Sequence, residues 1–310
     1  MVWLSAVPHH AILGCFSPGV AHGLGANQPD GWVGTEYGLS RQTENHPQSC
    51  CACQPSVSGG VSRLEGSVAM GAAGFVACGK RGIIVGMILH LHLVRHGQTT
   101  FNRYNRLQGW CNAPLTEAGL ADADKAAEKL KYVRFAAAYC SDTSRAQITA
   151  KRILDVNEEV GNARPVLVSD MHFREQCYGY FEGQDMSLAW TAAGGPHGAK
   201  GYNDIVAKYG LAATRDFLKE ADPFHDAESD AEYWARVHGA FSLIASNPDL
   251  KDGDDVLQIS HGNTLLSLMH RFAPEGYDLS ERPANGSVTC LDFDTTKPFE
   301  VALTVVSYNQ

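Results

Sequence analysis

The pattern of hydrophobic and polar positions changes near residue 87. Before that point the chain carries many Gly, Ser, Ala and Pro, only eight charged side chains, and no sustained helical or strand period. Such a segment buries too little apolar surface to offset the entropy of ordering the chain. We therefore predict that residues 1–86 are either a disordered N-terminal extension or the product of a wrongly assigned start codon, and we favour Met87 as the true first residue.

Two functional interpretations of the extension are less well supported. The Ile12–Cys15 segment faintly resembles a lipoprotein cleavage site, but no basic residue precedes it and the polar Pro8–His10 segment interrupts the apolar run. The Cys50–Cys53 cluster with His46 contains zinc-binding residue types, but it lacks the paired Cys-x-x-Cys spacing of structural zinc sites. Neither interpretation displaces the prediction of an extension outside the folded domain.

From Met87 onward, short apolar segments alternate with helical periods. Thr116 is a typical N-cap residue for a helix that runs to about Lys131. The alternation predicts an α/β domain over residues 87–310, a three-layer α/β/α sandwich around a mostly parallel sheet. The predicted strands are Ile88–Val94, Ala136–Cys140, Pro165–Ser169, Asp254–Ser260, and a final pair at Val288–Phe293 and Val301–Val306.

Residues 184 to about 250 interrupt this alternation with a mostly helical insertion. Helices are predicted near Tyr202–Tyr209, Ala212–Glu220 and Asp230–Ala245, and Gly194–Gly198 is predicted as a loop. Insertions of this kind commonly cover an active site and select its substrate. We expect this one to be a cap.

Two of the predicted strands end on a histidine followed by glycine. The first strand runs into Arg95, His96 and Gly97, and the strand that ends at Ser260 runs into His261. Ligands of open α/β sheets bind at the carboxyl ends of the strands. Two such dipeptides far apart in sequence are hard to explain by packing, so they indicate chemistry at this edge.

Three segments resemble the signatures of the histidine phosphatase superfamily, the phosphoglycerate-mutase-like enzymes. They are Leu93–Thr99 followed by Asn102, Ser141–Ala150, and Phe173–Gly183. The resemblance covers about residues 88 to 306 and implies transfer of a phosphoryl group to His96 and then to water or another hydroxyl. It implies catalytic roles for His96, Glu175 and His261, and substrate contacts from Arg95, Gly97, Asn102, Gln108 and Arg145.

The chemistry implied by the resemblance requires particular protonation states of these side chains. His96 must be neutral at its attacking nitrogen, with the other ring nitrogen held by a backbone carbonyl. His261, if protonated, adds a cation to Arg95 and Arg145 around the phosphate. Glu175 must hold a proton for the leaving group, which requires a pKa raised by burial near the substrate dianion. This route needs no metal or other cofactor, so full activity in EDTA is expected.

Several positions leave alternatives open. Glu182 is a rival to Glu175 as proton donor. Asn112 replaces the aspartate that the family usually carries, which puts a loop hydrogen bond in doubt. Ser141 and Asp142 are predicted to cap the helix that carries Arg145, and Glu228 is predicted to cap the helix that carries Arg236 in a weaker family pattern.

His90 and His92 share one face of the first strand and have the spacing of a His-x-His metal site. No aspartate or lysine of such a site stands out downstream. We therefore favour two histidines covered by a packed helix, with a metal hydrolase as the alternative.

The cations after Glu175 favour a phosphatase over a mutase. Phosphoglycerate mutases of this superfamily carry an adjacent Arg-Arg pair there, whereas only isolated cations lie between Glu175 and His261. The Tyr180–Gly183 segment is also more similar to the phosphatase branch. We expect a metal-independent phosphomonoester hydrolase. The alternatives are a phosphoglycerate mutase and a non-catalytic phospho-ligand binding module of the same fold.

The composition limits the classes of partner that this protein can bind. A net charge of −9 disfavours a general nucleic-acid binder. The sequence contains no run of about 18 apolar residues, so no membrane span is predicted. The scattered cysteines after residue 86 indicate a cytoplasmic protein with reduced thiols. The expected partner is a small phosphorylated metabolite. Sugar phosphates, phosphoglycerate, nucleotides and ribazole phosphate all fit, and no oligomeric state is predicted.

Overall fold

The computed structural model describes residues 86–310, in which six strands form one sheet in the order β3-β2-β4-β1-β5-β6. Strands β1 to β4 run parallel, β5 runs antiparallel to β1, and β6 runs antiparallel to β5. The prediction of a mostly parallel sheet with a final strand pair is therefore confirmed. The strands are β1 Ile88–Arg95, β2 Phe135–Cys140, β3 Leu167–Ser169, β4 Asp255–Ser260, β5 Val288–Asp294 and β6 Leu303–Ser307.

Within residues 86–310, eight α-helices connect or cover these strands. Parallel neighbours need crossover connections, which place helices on the faces of the sheet. The helices are α1 Thr100–Arg103, α2 Glu117–Leu130, α3 Ser144–Glu159, α4 Met186–Gly194, α5 Tyr202–Tyr209, α6 Leu211–Ala221, α7 Asp230–Ala245 and α8 Gly262–Phe272.

Each face of the sheet has its own apolar core. Leu89, Leu91 and Leu93 of β1 are fully buried in a cluster that includes Tyr233 and Phe241 of α7. On the opposite face, a second cluster joins β2 and β4 to the small residues of α2 and to α3. Helices on both faces make the three-layer sandwich that the sequence predicts.

A third apolar cluster lies within the insertion. It joins Trp190 of α4, Ile205 of α5 and Leu218 of α6 to Leu107 and Tyr178. The helix α7 packs on the sheet instead, although the predicted cap extends to about residue 250. The structure also adds α4, which the sequence analysis did not predict, and the predicted loop at 194–198 is the end of α4 followed by a short 3-10 turn.

The predictions for the N-terminal extension lie outside the described residues, apart from residue 86. They include the cleavage-site interpretation of Ile12–Cys15, the zinc interpretation of Cys50–Cys53 and the start at Met87. These remain predictions.

Candidate active site

The loop after β1 is held by close contact between two backbones. A Cβ at Gly97 would stand 2.0 Å from the carbonyl oxygen of Gly119, and one at Gly119 would stand 2.0 Å from that of Gln98. The backbone N–H of His96 donates to the carbonyl of Ser260 at 3.1 Å. The lack of side chains at Gly97 and Gly119 permits this close approach, which fixes His96 at the carboxyl end of the sheet.

The His96 ring is buried and held by one hydrogen bond. Its Nδ1 lies 2.8 Å from the carbonyl oxygen of Gly97, which can only accept, so Nδ1 carries the proton and Nε2 keeps a lone pair. Burial, with Arg145 and Arg95 nearby, holds the pKa of His96 well below its usual range. The expected tautomer and neutral state are both found.

His261 stands beside it, with ring centroids 5.1 Å apart. Its Nε2 lies 3.0 Å from Ser141 Oγ and its Nδ1 lies 3.3 Å from a guanidinium nitrogen of Arg145. Because arginine only donates, Nδ1 accepts and the ring is neutral. Burial and the charge of Arg145 lower the pKa of His261 well below its usual range. His261 is therefore neutral in this structure, and its role as a cation beside a bound phosphate stays a prediction.

Ser141 does not cap the helix that follows it. The helix α3 has Thr143 at its N-cap, with no side-chain hydrogen bond to the helix backbone. The Ser141 hydroxyl is 2.8 Å from Thr143 Oγ1, and its other neighbour is His261. The predicted capping by Ser141 and Asp142 is wrong, because the Ser141 hydroxyl is engaged with the histidine.

Arg145 lies in the first turn of α3 and is fully buried. Its two terminal nitrogens donate to the carbonyls of Cys111 at 2.9 Å and Gly109 at 2.6 Å, and its Nε has no partner. Glu182 accepts from the N–H groups of the same loop, including Gly109 at 3.0 Å and Trp110 at 2.7 Å. Glu182 therefore holds the loop around Arg145, which separates it in role from Glu175.

Glu175 is buried against the first turn of α8. Its Oε2 accepts the backbone N–H of Asn263 at 2.7 Å and its Oε1 accepts the hydroxyl of Thr264 at 2.8 Å. Both oxygens are thus oriented by one helix N-terminus that also carries His261. Only Glu175 of the two rival glutamates lines the cleft described below.

An ion pair supports the segment that carries Glu175. Arg236 donates to Glu228 at 2.6 Å and to the carbonyl of Glu175 at 3.1 Å. The N-cap of α7 is Ser229, in a capping box with Glu232. The prediction that Glu228 caps this helix is therefore wrong, because the carboxylate turns inward to Arg236.

Two amide side chains face the same cleft. Thr99 Oγ1 donates to Gln108 Oε1 at 2.6 Å, and the buried amide nitrogen of Gln108 has no partner. Asn102 Oδ1 accepts the Thr99 N–H at 3.1 Å and so completes the capping box of α1. Asn112, the departure from the family pattern, accepts a hydrogen bond from the Ser144 N–H at 3.0 Å.

These residues form one narrow cleft at the carboxyl end of the sheet. Of the predicted site residues, His261 and Arg145 lie behind its wall and Gly97 supports it from the backbone. Two arginines that the sequence analysis did not single out, Arg106 and Arg282, also line it. The cleft is lined by Arg95, His96, Asn102, Arg106, Leu107, Gln108, Glu175, Tyr178, Met186, Gly262 and Arg282.

The two histidines of β1 pair with carboxylates of neighbouring strands. His90 Nδ1 lies 2.7 Å from Asp292 Oδ1, and His92 Nε2 lies 2.7 Å from Asp255 Oδ1. The His90 side chain is 47% exposed, so the prediction that a helix covers it is wrong. Within residues 86–310 no three metal-ligating side chains come together.

The comparison with known proteins agrees with this geometry. The family model of the histidine phosphatase superfamily (branch 1) matches residues 91–305. The chain belongs to this superfamily. It is therefore an enzyme of the histidine phosphatase superfamily, whose members act on small phosphorylated metabolites.

Curated relatives cover most of the domain. The chain is 31% identical over 182 residues to the 2,3-bisphosphoglycerate-dependent phosphoglycerate mutase 2 of Gloeobacter violaceus, a match that spans 58% of this chain and 73% of that protein. It is 32% identical over 182 residues to the 2,3-bisphosphoglycerate-dependent phosphoglycerate mutase of Brucella anthropi, which spans 58% and 79% of the two chains.

Solved structures show the same fold. Phosphoglycerate mutase from Bacillus anthracis superposes with a TM-score of 0.64 at 27% identity, over 73% of this chain and 95% of that one. Bacillus stearothermophilus YhfR gives 0.50 at 26% identity, over 72% and 97% of the two chains. Among the described helices, none has the length and apolarity to cross a bilayer.

Proposed function

We propose that this enzyme is a metal-independent phosphomonoester hydrolase that works through a phosphohistidine on His96. The observation that supports this most directly is the hydrogen bond from His96 Nδ1 to the Gly97 carbonyl. It leaves Nε2 unprotonated in a buried cleft that also contains Arg95 and Glu175. A neutral imidazole fixed beside a cation and a carboxyl group is equipped for nucleophilic attack on phosphorus.

In the first step, Nε2 of His96 attacks phosphorus and the ester P–O bond breaks. Glu175 gives its proton to the leaving oxygen, and the guanidinium of Arg95 takes up charge on the phosphoryl oxygens. The unpartnered amide nitrogen of Gln108 and the side chain of Asn102 add neutral donors. The products of this step are the alcohol and phosphohistidine.

In the second step, water attacks phosphorus and the P–N bond to His96 breaks. Glu175 takes the proton from the water and is ready for the next cycle. We assign His261 and Arg145 to stabilising the phosphoryl group from behind the cleft wall, where negative charge favours a second proton on His261. Burial keeps His96 neutral in the free enzyme, since it lowers the pKa of the ring.

Hydrolysis is favoured over isomerisation by the surface outside the cleft. A depression of about 460 Å³ lies between α4 and α5 and shares Met186 with the cleft. Among its lining residues Lys200 is the single cation, and Trp190 and Tyr202 contribute aromatic surface. A mutase must bind a doubly phosphorylated acid in two orientations, and for the group that lies outside the cleft this depression supplies one cation, Lys200.

A phosphoglycerate mutase is the second candidate. The curated relatives are named for that activity, and Arg106 and Arg282 add positive charge to the cleft itself. The two candidates differ in what happens to the phosphohistidine: water takes the phosphoryl group in a phosphatase, and a second hydroxy acid takes it in a mutase.

The deciding experiment measures both reactions on the full chain in EDTA. One assay follows phosphate release from a panel of phosphomonoesters, and the other follows isomerisation of phosphoglycerate with a bisphosphoglycerate primer. We expect phosphate release without a primer, a loss of roughly 10³-fold or more in His96→Ala, and unchanged rates in His90→Gln. Isomerisation that exceeds phosphate release would establish the mutase, and equal activity in His96→Ala would refute the phosphohistidine.

A further inference from the structure

Arg282 stands where the cleft meets the depression outside it. It belongs to the loop between α8 and β5 and lines the cleft together with His96 and Glu175. Its NH1 nitrogen lies 3.6 Å from the sulfur of Met186, and its guanidinium carbon lies 5.4 Å from the centroid of the Tyr202 ring. Both neighbours also line the outer depression, so Arg282 lies at the border between the cleft and the depression.

The charge of Arg282 has no carboxylate partner among residues 86–310. Two buried arginines outside the cleft do have one: Arg236 lies 2.6 Å from Glu228, and Arg215 lies 2.6 Å from Asp230. Among the described residues, Arg95 and Arg145 of the candidate phosphate site bond to backbone carbonyls and have no carboxylate partner either. The Nε of Arg282 is also buried without any hydrogen-bond partner. Burying a charge and a donor without a partner costs free energy, so this position indicates an anion that the protein itself does not supply.

A second arginine of the cleft, Arg95, also lacks a carboxylate partner among the described residues. Arg95 lines the same cleft, donates to the carbonyl of Pro283, and has a buried Nε without a partner. Burial and then repulsion from Arg282 lower the pKa of Arg95 to about 10. Two neighbouring guanidinium groups of like charge are relieved when each binds negative charge.

Arg95 and Arg282 are held in place by different residues. Gly262 lies against Arg95, because a Cβ at Gly262 would stand 3.0 Å from the guanidinium carbon. Arg95 is thereby held beside His96, whereas Met186 and Tyr202 of the cap hold Arg282. One phosphoryl group bound by Arg95 at His96 leaves Arg282 for a different part of the substrate.

We propose that Arg282 is a specificity-determining residue that binds a second anionic group on the leaving group of the substrate. The substrate class is then a small phosphomonoester whose alcohol carries a carboxylate or a second phosphate near the ester oxygen. This inference rests on the proposed hydrolysis at His96 and adds to it the chemistry of the leaving group. A planar fork of donors suits either oxyanion.

The surroundings of Arg282 prepare it for this contact. Its guanidinium is positioned by an aromatic ring and a thioether, so little side-chain freedom is lost when an anion binds. The hydroxyl of Tyr202 lies 3.4 Å from Asn263 Oδ1, and the backbone N–H of Asn263 donates to Glu175. The second-anion contact is therefore set relative to the proton donor, which must stand at the ester oxygen.

The test compares two esters that differ in one group. In 3-phosphoglycerate the carbon distal to the ester is a carboxylate, and in glycerol 3-phosphate it is a hydroxymethyl group. For Arg282→Gln we expect kcat/KM to fall about 10- to 100-fold on 3-phosphoglycerate and to change less than about threefold on glycerol 3-phosphate. Arg282→Lys, which keeps the charge without the fork, should fall between the two. Arg103→Gln removes an equal charge from an exposed side chain that does not line the cleft, and it should change kcat/KM on neither substrate.

Other outcomes overturn the inference. An equal loss on both esters would mean that Arg282 contacts the transferred phosphoryl group, and no loss on either would place it outside the site. A melting temperature of Arg282→Gln equal to that of the parent enzyme shows that the variant is folded. If it unfolds early, Arg282→Lys decides the question by the same ratio of the two substrates.

A binding measurement separates this inference from the proposed function. Calorimetry of both esters on the His96→Ala chain needs no turnover. The second substitution, Arg282→Gln, should weaken binding of 3-phosphoglycerate selectively. If the parent enzyme hydrolyses neither ester but Arg282→Gln still weakens binding of 3-phosphoglycerate alone, the proposed hydrolysis is wrong and the second-anion site stands. If both esters bind equally well with and without Arg282→Gln, the second-anion site is wrong.

Discussion

The two facing histidines, His96 and His261, are buried and neutral in the folded protein. Burial, together with the charge of Arg145, lowers the pKa of both rings well below the usual value. In the unfolded chain each ring titrates near its ordinary pKa of about 6.5. Between the folded and unfolded values the unfolded state binds more protons, so each ring favours unfolding as the pH falls.

The expected result is a loss of stability on the acid side. The free energy of unfolding should fall by about 1.4 kcal/mol per pH unit for each ring as pH drops below about 6.5. Urea unfolding at several pH values between 7.5 and 5.5 measures this slope. His261→Gln should remove the contribution of one ring, and an unchanged slope in that variant would show that His261 is not buried in its neutral form.

A second residue-scale prediction concerns Cys290. Across β1 and β5 it stands directly opposite His92, whose Nδ1 lies 3.7 Å from the sulfur and whose Nε2 contacts Asp255. The hydrogen bond from His92 lowers the pKa of the Cys290 thiol. Burial raises the pKa of the other three described thiols, Cys111 to about 12 and Cys140 and Cys177 to about 11.

Because the thiolate is the reactive form, Cys290 should be alkylated first among these four cysteines. Peptide mass spectrometry after brief iodoacetamide treatment at pH 7.5 measures the order. His92→Phe should slow labelling of Cys290 several-fold and leave the other three unchanged. Faster labelling of Cys111, which is also partly exposed, would contradict the assignment.

At the scale of elements, the pair Arg236–Glu228 ties α7 to the segment that carries Glu175. Arg236 donates to the carbonyls of His172, Arg174 and Glu175, at 3.0, 2.8 and 3.1 Å. Arg236→Gln removes most of these bonds and leaves a buried carboxylate unpaired, which costs about 3 to 5 kcal/mol of stability. Arg236 is thus a positioning residue for the proton donor.

The measurement that separates positioning from simple destabilisation is the dependence on leaving group. An alkyl phosphate needs protonation of its poor leaving oxygen, whereas a nitrophenyl phosphate does not. At a temperature where Arg236→Gln is folded, kcat should fall more on the alkyl ester than on the aryl ester, by roughly 10-fold or more. Equal losses would indicate a structural role only, and Arg236→Lys should recover part of the difference.

Elements with strong local signals were predictable from sequence. The helices α5 and α7 begin and end where predicted, and Ser229 with Glu232 gives α7 a capping box. The helix α4 was missed because Gly194 and the residues after it indicate a loop, although the Asp185 side chain caps α4 by accepting from two backbone N–H groups. Local patterns therefore identify elements where caps and periodicity agree.

Contacts between elements were predictable only where strand ends carry them. His96 and His261 follow strands whose adjacency places them together, as the repeated strand and His-Gly pattern implies. Arg282 carries no such signal, since it precedes a proline in a polar loop. Its place in the cleft depends on β5 pairing with β1 in antiparallel register, which no local pattern encodes.

At the scale of the whole molecule, the central position of β1 determines where the fold begins. Ile88 already pairs with Asp294 on β5, and Leu89 is fully buried. The backbone of Met87 makes two hydrogen bonds with Thr295: its N–H donates to the Thr295 hydroxyl at 3.1 Å, and its carbonyl accepts from the Thr295 N–H at 2.9 Å. The sheet and cleft described here are thus completed by contacts made from residue 87 onward.

This makes the proposed boundary at Met87 testable with two truncated chains. The chain 87–310 should keep the kcat/KM of the full chain within about twofold and its melting temperature within a few degrees. The chain 91–310 loses residues 88–90 of the central strand β1, including the buried Leu89, whose side chain alone is worth about 2 to 5 kcal/mol. Its melting temperature should fall by roughly 5 to 20 °C. Loss of activity in 87–310 would show that residues before Met87 contribute to the site.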